Sequence, residues 1–154
     1  MPNTYTQIHI HFIFVVKYRL GLIDKSWREN LYKYITSIVQ NKGHKMIIIN
    51  GVADHVHLLL GMQPHETISD LMKDVKQSSS KWINENRLTT EKFEWQQGYA
   101  AFSYSKSQLP KVIEYIENQE VHHQKKTFRQ EYIEFLTKFE VDYDEDYIFK
   151  DLIQ

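Results

Sequence analysis

Residues 7–16, QIHIHFIFVV, alternate. Ile8, Ile10, Phe12, Phe14 and Val16 fall on one side, and Gln7, His9 and His11 on the other. That is the two-residue period of a strand with one buried face. A helical period follows over 26–42, where Trp27, Leu31, Tyr34, Ile35, Ile38 and Val39 share a stripe. Ser26 with Glu29 reads as a capping box, and Gly43 as the stop. KMIIIN at 45–50 predicts a second strand. HVHLLLGM at 55–62 predicts a third, with Val56, Leu58, Leu60 and Met62 on one face and His55, His57 and Leu59 on the other. Ile68, Leu71, Met72, Val75, Trp82 and Ile83 keep helical spacing over 67–84. Ser78 and Ser79 interrupt that stripe, as a close helix-to-sheet contact would. YAAFSY at 99–104 predicts a short strand. Ser107 and Pro110 suit the start of a helix over 108–122, since proline is tolerated in a first turn. Thr127 with Gln130 caps a last helix, with Phe128, Tyr132, Phe135, Leu136 and Phe139 inward.

The order β-α-β-β-α-β-α-α is the split βαβ, ferredoxin-like (RRM-like) arrangement with added C-terminal helices, an α+β fold. In it the two long helices cover one face of an antiparallel sheet and the other face stays open. Both histidine pairs, His9/His11 and His55/His57, fall on that open face. The first and third strands are neighbours, so the pairs can lie close together. One domain is expected over 1–154, with 141–154 as an acidic tail.

Composition narrows the chemistry. The 154 residues are 42% apolar and 14% aromatic, as a packed domain requires. There is no cysteine, which excludes disulfides, thiolate metal sites and cysteine nucleophiles. No apolar run approaches the ~18 residues of a membrane span, and the N-terminus lacks the pattern of a secretion signal, so a cytoplasmic protein is expected. The net charge of −1 conceals an asymmetry. Residues 1–129 hold 17 Lys+Arg against 12 Asp+Glu, or +5, and residues 130–154 hold 2 against 8, or −6. The basic body permits a phosphate-rich partner without demanding one.

Two constellations carry candidate chemistry. His55 and His57 project from one side of a strand, so their imidazoles can converge on a cation and leave room for water or a phosphate. Histidines on a half-exposed strand are also common without an ion. Tyr115 and Gln119 stack on one side of the predicted helix, off its core stripe of Leu109, Val112, Ile113 and Ile116. Tyrosine suits nucleophilic attack on phosphorus, which stores the phosphate as an ester. A divalent ion beside that phosphate would neutralise and orient it. Asp54 is placed to orient a histidine from behind.

These residues stand in context. DHVHLLLG, the lysine- and serine-bearing KDVKQSSSKWIN, FEWQQGYAAFSYS, YIENQEVHH and the KYR end of the first strand (Lys17, Tyr18, Arg19) together resemble the single-tyrosine HUH transposases of 200/605-type insertion sequences, including repeat-associated tyrosine transposases. The resemblance spans roughly residues 7–140. His55-Val56-His57 is the His-hydrophobic-His motif, and Tyr115 and Gln119 match a YxxxQ motif. The resemblance implies an enzyme that cuts and rejoins single-stranded DNA at hairpin-bearing mobile-element ends through a 5′-phosphotyrosine. It implies Tyr115 as nucleophile, His55, His57 and Gln119 as ligands to Mg²⁺ or Mn²⁺, and a homodimer that exchanges tyrosine helices. Lys17, Arg19, Lys73, Lys76 and Lys81 are candidate DNA contacts, with Lys106 and Lys111 behind them. A domesticated repeat-associated nuclease, a relaxase or replication nickase, a non-catalytic nucleic-acid module and an inactive remnant stay open as alternatives. A relaxase usually brings a longer chain and a third histidine, and neither is seen in the sequence, which ranks that alternative lower.

Overall fold

The computed structural model describes residues 3–142. The acidic tail expected over 141–154 therefore falls outside the described residues from 143 onward. The elements are β1 (His9–Val15), α1 (Lys25–Asn41), β2 (Lys45–Val52), β3 (His55–Gly61), α2 (Ile68–Glu85), β4 (Ala100–Tyr104), α3 (Leu109–Glu117), α4 (Gln119–His123) and α5 (Phe128–Lys138). The four strands form one sheet in the order β2-β3-β1-β4, every neighbouring pair antiparallel. This is the strand order of the split βαβ arrangement, and it places β1 beside β3 as expected.

One sheet face packs under α1 and α2. Ile10, Phe12, Phe14 and Val16 of β1 and its exit meet Val56, Leu58 and Leu60 of β3 and the stripes Leu31, Ile35, Val39 and Leu71, Met72, Val75, Ile83. Asp24 caps α1 by accepting from the Ser26 amide, so the cap lies two residues before the expected Ser26 box. Thr67 caps α2 through the Asp70 amide. Ser79 is buried in the α2 stripe because its hydroxyl accepts the Trp95 indole N–H at 2.9 Å.

The other face is not open, contrary to expectation. Ile13, Val15, Leu59, Ala100, Phe102 and Tyr104 of the sheet form a second core with Val112 and Ile116 of α3 and Phe128 and Leu136 of α5. β1 is consequently buried on both sides along nearly its whole length. The physical reason is visible in the strand itself: residues 12–16 are an unbroken apolar run, which one covered face cannot satisfy.

The helix expected over 108–122 is interrupted. Ser105 and Gln108 form the capping box before it, Pro110 sits in its first turn, and it ends at Glu117, with Asn118 out of helical geometry (φ −99°, ψ 27°) before α4 begins. The Asn50 amide on β2 donates to the Ile116 and Glu117 carbonyls at 2.9 and 3.1 Å, satisfying acceptors that a helix end leaves orphaned. α5 starts in the Thr127/Gln130 capping box read from the sequence.

Candidate active site

β3 begins with His55, so both motif histidines lie at its N-terminal end, on the face covered by α3, α4 and α5. Their side chains are fully buried. Asn50, opposite His57 on β2, ties the end of α3 to this edge of the sheet and so brings Tyr115 and Gln119 over the histidines. Gln119 Oε1 lies 3.2 Å from His55 Nε2. The Tyr115 and His57 rings meet edge to face with centroids 5.9 Å apart. All four residues belong to one chain.

A carboxylate completes the cluster. Glu131, buried on α5, places Oε1 3.3 Å from His55 Nε2, 3.2 Å from His57 Nε2 and 3.2 Å from His123 Nε2. Its Oε2 accepts from the Tyr115 hydroxyl and, at 3.4 Å, from the Gln119 amide. One oxygen therefore faces the imidazoles and the other faces the phenol. Behind the pair, Asp54 Oδ1 sits 2.6 Å from His55 Nδ1, and His11 Nε2 sits 2.7 Å from His57 Nδ1.

The charge states follow from these partners. Burial alone would lower the His55 pKa, but the Asp54 and Glu131 carboxylates outweigh it and raise the group to about 9. Burial dominates at His57, whose pKa falls despite Glu131. Burial and the neighbouring His57 hold His11 well below the ordinary value. His123 falls to about 4, chiefly through burial and then His55. Burial opposes ionisation of Glu131, yet the hydrogen bonds from His55 and His57 bring it down to about 2. Without an ion, the site is thus an imidazolium at His55 facing a carboxylate at Glu131.

The donor set fits a divalent cation. Two imidazole nitrogens, an amide oxygen and a carboxylate oxygen suit Mn²⁺ or, with water ligands added, Mg²⁺. The His55–Gln119, His55–Glu131 and His57–Glu131 separations are 3.2, 3.3 and 3.2 Å. Neighbouring corners of an octahedron with bonds of ~2.1 Å are ~3.0 Å apart, so small shifts would close these donors on an ion. His44, His65 and Glu66 form a second metal-like group. There the Gln63 amide donates to His44 Nδ1, His44 faces Glu66 through Nε2, and Lys42 already supplies the cation between Glu66 and Asp74.

The family model for IS200-like transposases matches residues 4–119. The chain belongs to that family. The ISDra2 transposase TnpA of Deinococcus radiodurans is 27% identical to this family member over 118 residues, 73% of this chain and 84% of the relative. A Deinococcus radiodurans transposase crystal structure superimposes with a TM-score of 0.61 at 24% identity, covering 76% of this chain and 94% of that one. A REP-associated tyrosine transposase, solved bound to a REP hairpin, superimposes with a TM-score of 0.62 at 12% identity, covering 99% and 97%. These two likenesses concern the fold.

The candidate DNA contacts of this transposase separate into distinct places. Lys17, Lys76 and Lys81 line one groove with Lys92, Asn84, Trp95 and Gln97. Lys17 pairs there with Glu94 at 3.1 Å, Lys81 with Glu85 at 3.8 Å, and Lys76 donates to the Gln96 and Gly98 carbonyls. Arg19 lies elsewhere, in a groove with Asp54, His123 and Lys126 that reaches the back of His55. Tyr18 and Arg19 both adopt left-handed backbone (φ 60° and 54°), a strained turn that carries Arg19 to that position. Lys73 is exposed on α2 and lines neither groove. Lys111 flanks Tyr115 in a third groove with Tyr104, Glu134, Phe135 and Lys138.

Glu131 and His123 stand outside the motifs that mark the other site residues in the sequence. Glu131 had a signal: it lies three residues after Phe128 and four before Phe135, an acidic residue inside an apolar helical stripe. His123 had none, since its approach to the site depends on the break at Asn118. With it, a third imidazole, the feature a relaxase was expected to bring, stands beside the pair.

Proposed function

We propose that this transposase cuts and rejoins single-stranded DNA through a covalent 5′-phosphotyrosine at Tyr115, with His55, His57, Gln119 and Glu131 holding a divalent ion. The observation that supports it most strongly is the convergence, within one chain, of the Tyr115 hydroxyl, the two motif histidines, Gln119 and a buried carboxylate. The bound ion would supply charge neutralisation and orientation of the scissile phosphate.

Tyr115 Oη attacks the scissile phosphorus, and its proton passes to Glu131 Oε2, which already accepts that hydrogen bond. A carboxylate is a far weaker base than a phenolate and cannot remove the phenolic proton in advance, so proton transfer accompanies bond formation. The bond from phosphorus to the 3′ oxygen breaks, and that oxygen takes up the proton Glu131 received, directly or through water, so the leaving strand departs as a 3′ hydroxyl. Attack by a second 3′ hydroxyl on the phosphotyrosine reverses the step and joins new ends. The groove at Tyr115 opens between Lys111 and Lys138, which offer phosphate contacts on the approach. Lys17, Lys76, Lys81 and Arg19 serve as further backbone contacts.

A hairpin-bearing DNA end is the substrate this reading favours, supported by the REP hairpin held by a structural relative. A homodimer would serve to bring two ends together. Exchange of tyrosine helices is not required for it, because Tyr115 reaches the histidines of its own chain.

The test is incubation with hairpin-bearing single-stranded oligonucleotides from the protein's own genomic flanks and Mg²⁺ or Mn²⁺. A covalent protein–DNA adduct is expected, lost in Tyr115→Phe while DNA binding persists. An adduct that survives in Tyr115→Phe would overturn the assignment.

A further inference from the structure

His11 has no task in the phosphorus chemistry, yet β1 delivers it into the wall of the site. Its ring stacks on His57 with centroids 5.0 Å apart, and its Nε2 lies 2.7 Å from His57 Nδ1. Both side chains are fully buried. Aromatic rings of Phe102, Tyr104 and Phe135 surround it.

One proton is shared across that contact, so one imidazole donates and the other accepts. If His57 donates from Nδ1, its Nε2 keeps a lone pair, and this is the atom that faces Glu131 at 3.2 Å. If His11 donates instead, neutral His57 carries its proton on Nε2 and has nothing to offer an ion there. Ligation through Nε2 requires the first arrangement.

We propose that His11 is the positioning residue for His57 once a bound ion replaces the His57–Glu131 hydrogen bond: its Nε2 accepts the His57 Nδ1 proton, fixing ring and tautomer with the Nε2 lone pair directed at the metal site. The inference rests on the reading that His55 and His57 hold a divalent ion. Ligating imidazoles hand their second N–H to an acceptor that sets their orientation. His55 has a carboxylate for this, Asp54 at 2.6 Å. His57 has an imidazole from the next strand. Ile13 stands opposite His57 and His11 opposite Leu59, so the contact is the diagonal one of an antiparallel pair. The two ligands are therefore unequal, one backed by a carboxylate and the other by a second imidazole. His11 Nδ1 is left buried without a hydrogen-bond partner. His9, at the strand's half-buried end, has no such contact among the described residues.

The test measures Mn²⁺ affinity by calorimetry on the full chain, its His11→Phe variant and its His11→Gln variant. Long-range ¹⁵N–¹H spectra of His57 with Mg²⁺ bound accompany it. Phenylalanine fits the aromatic surroundings and removes the acceptor, whereas the glutamine amide oxygen reaches about as far as His11 Nε2 and accepts. Affinity is expected to fall about 10- to 100-fold in His11→Phe and to recover in His11→Gln. His57 is expected as the Nδ1–H tautomer in the unsubstituted and Gln proteins. Equal affinity in all three proteins, or a Gln variant as weak as the Phe variant, overturns the inference. So does a His57 protonated on Nε2 with the ion bound, a result that decides the matter even where His11→Phe fails to fold. Absence of Mn²⁺ binding by the unsubstituted chain overturns the metal-dependent reading itself, a failure visible before any variant is made.

Discussion

At the scale of single residues, Glu131 links the two halves of the site. Replacing it by glutamine keeps the shape and removes the charge. Divalent-metal affinity should fall about 10- to 100-fold, measured by calorimetry, and adduct formation should fall with it. The same charge sets a pH window in the ion-free protein. His55 is raised from 6.5 to about 9, so its contribution to stability is full below 6.5 and lost as pH rises through 9. Glu131 is lowered from 4.5 to about 2, so its contribution is present above 4.5 and lost as pH falls through 2. Urea unfolding in the presence of EDTA should therefore show the largest excess stability of the parent over Glu131→Gln between pH 4.5 and 6.5. An excess that is flat from pH 4 to 9 would contradict the His55–Glu131 pairing. His55, His57, Tyr115 and Gln119 were legible in the sequence because each sits in a short motif with a fixed period. Asp54 was legible as their neighbour. Glu131 shows in the sequence only as an acid inside an apolar stripe, and that it reaches the histidines depends on α5 packing across the sheet.

Among the elements, the break between α3 and α4 does the positioning. Asn50 holds the last carbonyls of α3, and removing it as Asn50→Ala should cost about 1–3 kcal/mol in urea unfolding. Adduct formation should slow more than DNA binding weakens, since the groove of Lys17, Lys76 and Lys81 does not depend on that contact. Gly51 is a second control point, because a Cβ there would overlap the His55 carbonyl oxygen across the β2–β3 pair. Gly51→Ala should destabilise by about 1–3 kcal/mol and displace His55, seen as weakened metal binding. The strands and the two long helices followed from their periods. The break at Asn118 did not, because the stripe Val112, Ile113 and Ile116 continues smoothly up to it.

For the whole molecule, the sheet is a shared wall between two cores. The first, under α1 and α2, is the one that strand alternation announces. The second, under α3 and α5, was hidden because Ile13, Val15 and Leu59 share their face with histidines, and those polar positions made the face look solvated. No helix among the described residues is long and apolar enough to cross a membrane. Cutting the chain before Thr127 would remove α5 and uncover Phe102 and both motif histidines. Such a truncated protein should bind hydrophobic dyes and aggregate rather than bind DNA more tightly. Each of Lys17→Ala and Lys81→Ala should weaken DNA binding similarly for all sequences and reduce the salt slope by about one. A sequence-dependent loss at either position would mean base recognition instead.

The proposed cleavage joins Tyr115 to DNA within a site built by its own chain. Mixing two inactive variants, Tyr115→Phe and His55→Ala/His57→Ala, with labelled single-stranded element ends and Mn²⁺ tests it most directly. A covalent adduct is expected with the parent protein, and none with either variant or with their mixture. An adduct in the mixture would show a tyrosine serving another chain's histidines, and an adduct on Tyr115→Phe alone would show a different nucleophile.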